Sequence, residues 1–89
     1  MITIKSSTTE EVFTSKANIA AVLLVGGTAN SSVALNDSVS GSGDDKIKLK
    51  ALAYTSESIV FPKDRPIVFD TAIYSTIAGS GAEVYIYLD

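Results

Sequence analysis

At 89 residues, with a net charge of −3, no cysteine and no histidine, the chain is a single small domain without disulfides or thiolate or imidazole metal sites. The acidic balance argues against general nucleic-acid binding, which needs a cationic surface to displace counterions. No apolar run approaches the roughly 18 residues of a membrane-spanning helix, and Met1-Ile2-Thr3-Ile4-Lys5 lacks the basic region and long apolar core of a secretory signal.

A domain of this size buries only about 60–65% of the surface its unfolded chain exposes, so it is marginal alone. With disulfides and metals excluded, oligomerisation is the remedy left. Abundant Ser, Thr and Gly, frequent β-branched residues and only two prolines predict an all-β fold with many turns.

Ile2 and Ile4 alternate with Thr3 and Lys5, which reads as a short strand. The polar run Ser6–Glu11 reads as a loop or arm, followed by a second short strand at Val12–Thr14. Residues 1–16 are therefore set apart as an N-terminal strand or arm, and 17–89 as the β-sandwich domain. A helix capped by Thr8 or Thr9 is the competing reading, opposed by Val12, Thr14, Ile19, Val22 and Val25 and by the lack of a 3.6-residue stripe.

Ile19–Gly27 is the stretch that seeds the core. Its odd positions Ile19, Ala21, Leu23 and Val25 are apolar, and so are Ala20, Val22 and Leu24. A strand of this kind is covered on both faces, once by its own core and once by a partner subunit. Adjacent residues point oppositely, so one of Leu23 and Leu24 faces the core. Val22 and Leu24 are assigned to the partner side.

Gly26–Asn30 is a turn and Ser31–Leu35 the returning strand. Asn36–Asp45 is the longest loop. Lys46–Ala51 alternates strictly, with lysines on one face, and beyond Ala51 the large side chains Leu52 and Tyr54 fall in the lysine phase. That change requires a bulge or passage of the strand into a covered region. Ser58–Phe61 is a strand stopped by Pro62, and Ile67–Phe69 another opened by Pro66. Ala72–Ile77 and Ala82–Leu88 form a hairpin across Gly79-Ser80-Gly81. In the last strand Ala82, Val84, Ile86 and Leu88 face one way and Glu83, Tyr85, Tyr87 and Asp89 the other. Together these predict a small antiparallel β-sandwich or jelly-roll-like barrel of about seven to eight short strands.

Nothing in the chain forms a catalytic signature. Asn36, Asp37, Ser38, Asp44 and Asp45 hold oxygen ligands suited to calcium but lack the ordered spacing and the terminal bidentate Glu, and a solvated loop is the reading preferred. Lys46, Lys48 and Lys50 mark a solvent face or a protected edge rather than an anion site. The glycine pairs are turns, since neither is followed by a helix or by Gly-Lys-Ser/Thr. Tyr85 and Tyr87 share a face suited to packing on a neighbour or to stacking on sugar rings. The predicted subunit or partner interface is Ile2, Ile4, Val22, Leu24, Tyr85 and Tyr87. No catalytic, cofactor or metal site is predicted.

One run of features resembles a small all-β module of tailed-bacteriophage virion proteins. It comprises the apolar strand into Gly26-Gly27-Thr28-Ala29, the return strand Val33–Asp37, a Gly/Ser loop ending in Lys46-Ile47, Ile59-Val60-Phe61-Pro62, Phe69–Tyr74, and Gly79–Tyr87. Such modules serve in capsid decoration, head fibres and tail fibres. The resemblance implies a non-enzymatic structural virion protein, made in the host cytoplasm and assembled into the virion. It implies a homotrimer that decorates or cements a capsid, with the major capsid protein or another virion protein as partner, and without cofactor, nucleic acid or membrane. A receptor- or glycan-binding fibre domain is the alternative. Leu52-Ala53-Tyr54 and residues 1–16 depart from the pattern.

Overall fold

The computed structural model describes residues 2–89, and among them it shows nine strands and no helix. They are β1 (Ile2–Ser6), β2 (Glu10–Phe13), β3 (Ala17–Val25), β4 (Ser31–Asn36), β5 (Asp45–Ala51), β6 (Ser56–Val60), β7 (Ile67–Phe69), β8 (Ile73–Ala78) and β9 (Glu83–Leu88). One sheet runs β1-β9-β3-β6, with the short β7 also on β3; the other runs β2-β8-β4-β5. Every ladder is antiparallel, and the two sheets close over one core as a small β-sandwich.

Where one face of a strand is solvated, the burial follows the alternation in sequence. Val84, Ile86 and Leu88 of β9 are buried between half-exposed Glu83, Tyr85 and Tyr87. In β5, Ile47 and Ala51 are buried, Leu49 is half-buried, and Lys46, Lys48 and Lys50 are exposed.

The doubly apolar β3 departs from expectation. Ala17 and Ile19 point inward, the half-buried Ala20 and Ala21 follow in succession, and inward pointing resumes at Val22 and Leu24. The register against β9 shifts between Ile19 and Ala21, marking a bulge. Val22 and Leu24 are thus completely buried in the core and cannot face a partner, which corrects their assignment to the interface. The outer face of β3 is instead Ala21, Leu23 and Val25, all half-buried.

Connectivity also differs from the expected hairpin near the C-terminal end. β8 belongs to one sheet and β9 to the other, so Gly79-Ser80-Gly81 arches between layers instead of joining paired strands. Gly79 and Gly81 take φ of 109° and 77°, which side-chain-bearing residues rarely adopt. Against this arch lies Gly27, where a Cβ would collide with the Ser80 carbonyl and the Gly81 backbone. The Thr28 amide donates to that Ser80 carbonyl at 2.9 Å, and the Tyr54 amide to the Gly27 carbonyl at 2.9 Å. Three turns thereby lock together at one end of the sandwich.

The phase change after Ala51 is neither a bulge nor a buried strand. β5 ends there, and Leu52–Thr55 is a turn closed by the Thr55 amide on the Leu52 carbonyl at 3.1 Å. Leu52 and Tyr54 stand in solvent, 67% and 79% exposed, and Tyr54 carries a φ of 60°.

The two leucines separate the faces of β3 experimentally. Leu24→Ala should lower unfolding free energy by about 2–5 kcal/mol in urea denaturation, because the void is sealed in the core. Leu23→Ala, with its side chain on the outer face, should cost less than half as much.

Candidate functional site

The outer face of the β1-β9-β3-β6 sheet carries the side chains best placed for a partner. Pairing sets its rows: Lys5 opposes Tyr85, which opposes Leu23, which opposes Ser58; Thr3, Tyr87, Ala21 and Val60 make the next row. Tyr85, Tyr87, Leu23 and Val25 are half-buried, and Val60 is 75% exposed at the sheet edge. Lys5 meets Glu83 at 2.7 Å and lies 5.9 Å from the centre of the Tyr85 ring. Glu83, by hydrogen bond and charge, raises the Lys5 ammonium above its ordinary pKa. An exposed pair of this kind adds little stability but fixes where the face turns polar.

Of the predicted interface residues, the structure brings Tyr85 and Tyr87 together on this face. Ile4 and Ile2 lie in the inward phase of β1, opposite Ile86 and Leu88. Ile4 packs against the core, while Ile2, at the strand's end, is 55% exposed. Leu23 and Val25 occupy the places given to Val22 and Leu24.

Beside Tyr87 the bulge opens a groove of about 420 Å³, lined by Ala20, Ala21, Phe61, Pro62, Tyr87 and Asp89 among others. Its floor is low because two alanines sit at the bulge. Its wall is the β6–β7 connection, anchored where the Phe61 amide donates to the Ala20 carbonyl at 2.8 Å. Lys63 and Asp89 place charges of opposite sign on the lining. Sequence reading missed this groove; the adjacent alanines within an otherwise bulky run were its one visible trace.

The Asn36–Asp45 loop is built around its own polar groups. Asn36, buried, donates to the Gly43 carbonyl at 2.7 Å and to Asp45 Oδ1 at 2.9 Å, and accepts from Ser38 Oγ at 2.6 Å and the Gly43 amide at 2.9 Å. Asp37 reaches across to the β7–β8 turn: Oδ2 accepts the Asp70 amide at 3.0 Å, and Oδ1 accepts the Thr71 amide at 2.9 Å. Lys46 Nζ sits 3.1 Å from Oδ2. The two residues thus spend their oxygens within the protein, and no cluster of three or more acidic, His or Cys side chains suited to a metal occurs among the described residues.

Comparison with known proteins finds nothing: no protein-family profile, no curated protein and no solved structure matches the chain.

Asp37 makes stability pH-dependent. The Asp70 amide foremost, with those of Thr71 and Ala72 and the Lys46 ammonium, holds its carboxyl at about 2 against an ordinary 3.8, although burial opposes the shift. Its contribution is fully present above the unfolded value and is lost as pH falls from about 4 through 2. Denaturation between pH 5 and 2 should show a loss on the order of 2 kcal/mol assignable to this group. Asp37→Asn should remove that part of the pH dependence while lowering stability at neutral pH.

Proposed function

We propose that the protein is a structural virion subunit, a capsid decoration or cement protein of a tailed bacteriophage that works as a homotrimer. The observation that carries this reading is the tyrosine face: Leu23, Val25, Tyr85 and Tyr87 form an apolar, aromatic outer surface on a domain whose core is already complete without them. Aromatic side chains supply large contact area at low entropy cost and are enriched where proteins pack on one another. A decoration subunit acts by adding binding free energy to the assembled shell, so a rigid face with no chemistry in it is what the task requires. The turn motifs that resemble phage virion modules supply the setting.

A second reading, a glycan-binding fibre domain, is favoured by one observation. The groove beside Tyr87 combines an aromatic wall with Lys63 and Asp89, groups that stack on and hydrogen-bond to sugar rings.

Sedimentation at micromolar concentration should show a trimer, and the protein should bind purified phage heads stripped of decoration. Leu23→Asp and Tyr87→Ser should retain the circular dichroism of the fold and lose head binding. A protein that leaves heads untouched while its Tyr87 and Phe61 resonances shift on glycan titration would move the assignment to the fibre reading.

A further inference from the structure

One turn of the molecule projects, one part of its surface is recessed, and both are apolar. The projection is Leu52–Thr55, between β5 and β6, where Leu52 and Tyr54 stand 67% and 79% exposed. Three successive amides hold this turn. That of Ala53 donates to Asn30 Oδ1 at 3.1 Å, that of Tyr54 to the Gly27 carbonyl, and that of Thr55 to the Leu52 carbonyl. The Thr55 hydroxyl donates to the same Leu52 carbonyl at 2.8 Å. Gly26 is packed against the turn, since a Cβ there would strike the carbonyls of Leu52 and Thr55.

Tyr54 is the one residue other than glycine with a positive φ among the described residues. Glycine would adopt 60° without strain, so turn geometry does not account for a large aromatic side chain here. Backbone strain held in place by surrounding bonds is found at residues that clamp a ligand. A braced turn also removes much of the ordering cost that association imposes on loops and side chains. Leu52 and Tyr54 thus form a rigid apolar knob.

The recess is the groove beside Tyr87, about 420 Å³, with a floor of Ala20 and Ala21 and walls that include Pro62, Pro66 and Tyr87. Clefts of roughly 300–1,000 Å³ hold whole drug-sized ligands, so a phenol ring with a leucine side chain is within its scale. The groove begins at Val60, the last residue of β6, and the knob ends where β6 starts. A strand of that length spans about 17 Å, so a chain cannot fill its own groove. A second copy can. Charge agrees with that occupant. Glu57, two residues beyond Thr55, and Lys63, on the groove lining, are both exposed, and neither has an ion-pair partner among the described residues.

We propose that copies of this chain join knob into groove. Leu52 and Tyr54 of one copy enter the groove of the next, and Glu57 comes to the rim beside Lys63 of that neighbour. A closed trimer requires a heterologous contact of this kind, because each subunit presents two different surfaces, one to each neighbour. Each subunit is then held twice, so a contact of modest area suffices to close the ring. This inference rests on the trimeric subunit proposed above and names the surfaces that join it, leaving Leu23, Val25 and Tyr85 for the shell.

The test uses variants read by sedimentation, with circular dichroism to confirm the fold. Leu52→Ser/Tyr54→Ser removes the knob and leaves the groove; Ala21→Phe fills the groove and leaves the knob. Each alone should weaken assembly about tenfold or more. Mixed in equal amounts, the two retain one sound contact and should stop at a dimer, because the other knob and the other groove are defective. The charges give a check that leaves the sheet untouched: Glu57→Lys should weaken assembly, and Glu57→Lys/Lys63→Glu in one chain should restore it. Variants that assemble as the wild type does, a mixture that stays monomeric, or a charge reversal without recovery overturns the contact. A wild-type chain that is monomeric at every concentration instead overturns the trimeric reading itself.

Discussion

An extra residue in β3 shapes most of what distinguishes this molecule. A strand without a bulge would carry either Ile19 or Val22 to the outside, because side chains alternate strictly. The bulge at Ala20-Ala21 lets both point inward, so the longest strand contributes Ala17, Ile19, Val22 and Leu24 to a single core. It also divides the strand's free edge: residues before it pair with β7, residues after it with β6. The intervening chain at Phe61–Pro66 is left standing off the sheet, and the groove beside Tyr87 is the space between. Core, outer face and groove are three results of one backbone irregularity.

The ends of the sandwich are held by different means. At one end, closely apposed backbones join three turns, and Gly26 and Gly27 are required because Cβ atoms would strike the carbonyls of Leu52, Thr55 and Ser80. At the other end, two side chains do the work: Asn36 fastens its own loop and Asp37 fastens that loop to the next turn. The first device depends on the absence of a side chain and the second on a charge, so they respond to different perturbations. Acid loosens the Asp37 end and leaves the glycine end untouched.

How much of this was legible in the sequence depended on what each strand faces. β9 and β5 lie between core and solvent, and their alternation of Val84, Ile86 and Leu88 with tyrosines, or of Ile47 with lysines, declared both strand and face. β3 is apolar throughout, so periodicity was silent about which side was which, and the bulge inverted the assignment of Val22 and Leu24. Gly79-Ser80-Gly81 announced a turn but not its destination, since glycine permits a hairpin and an arch equally. Asp37 read as one of several loop carboxylates, because its amide partners at Asp70–Ala72 are brought near only by tertiary structure. The groove depended on pairing between distant segments and had almost no local signal.

The chain changes layers at six of the eight connections between the described strands, and β4–β5 is the one case among them where consecutive strands pair. Most seriously for assembly, β9 is inserted between β1 and β3. The centre of that sheet therefore stays open until the last of its strands has been synthesised, and no earlier fragment can close it. Such non-local pairing raises the entropic cost of reaching the transition state and makes folding slow for a domain this small. The order of synthesis thus exposes one step: the β3 edge that receives β9 remains unfilled on the ribosome, where pairing with another nascent chain is a hazard. Folding of this sandwich waits for β9, and the finished sandwich rather than any part of it is the unit available for assembly.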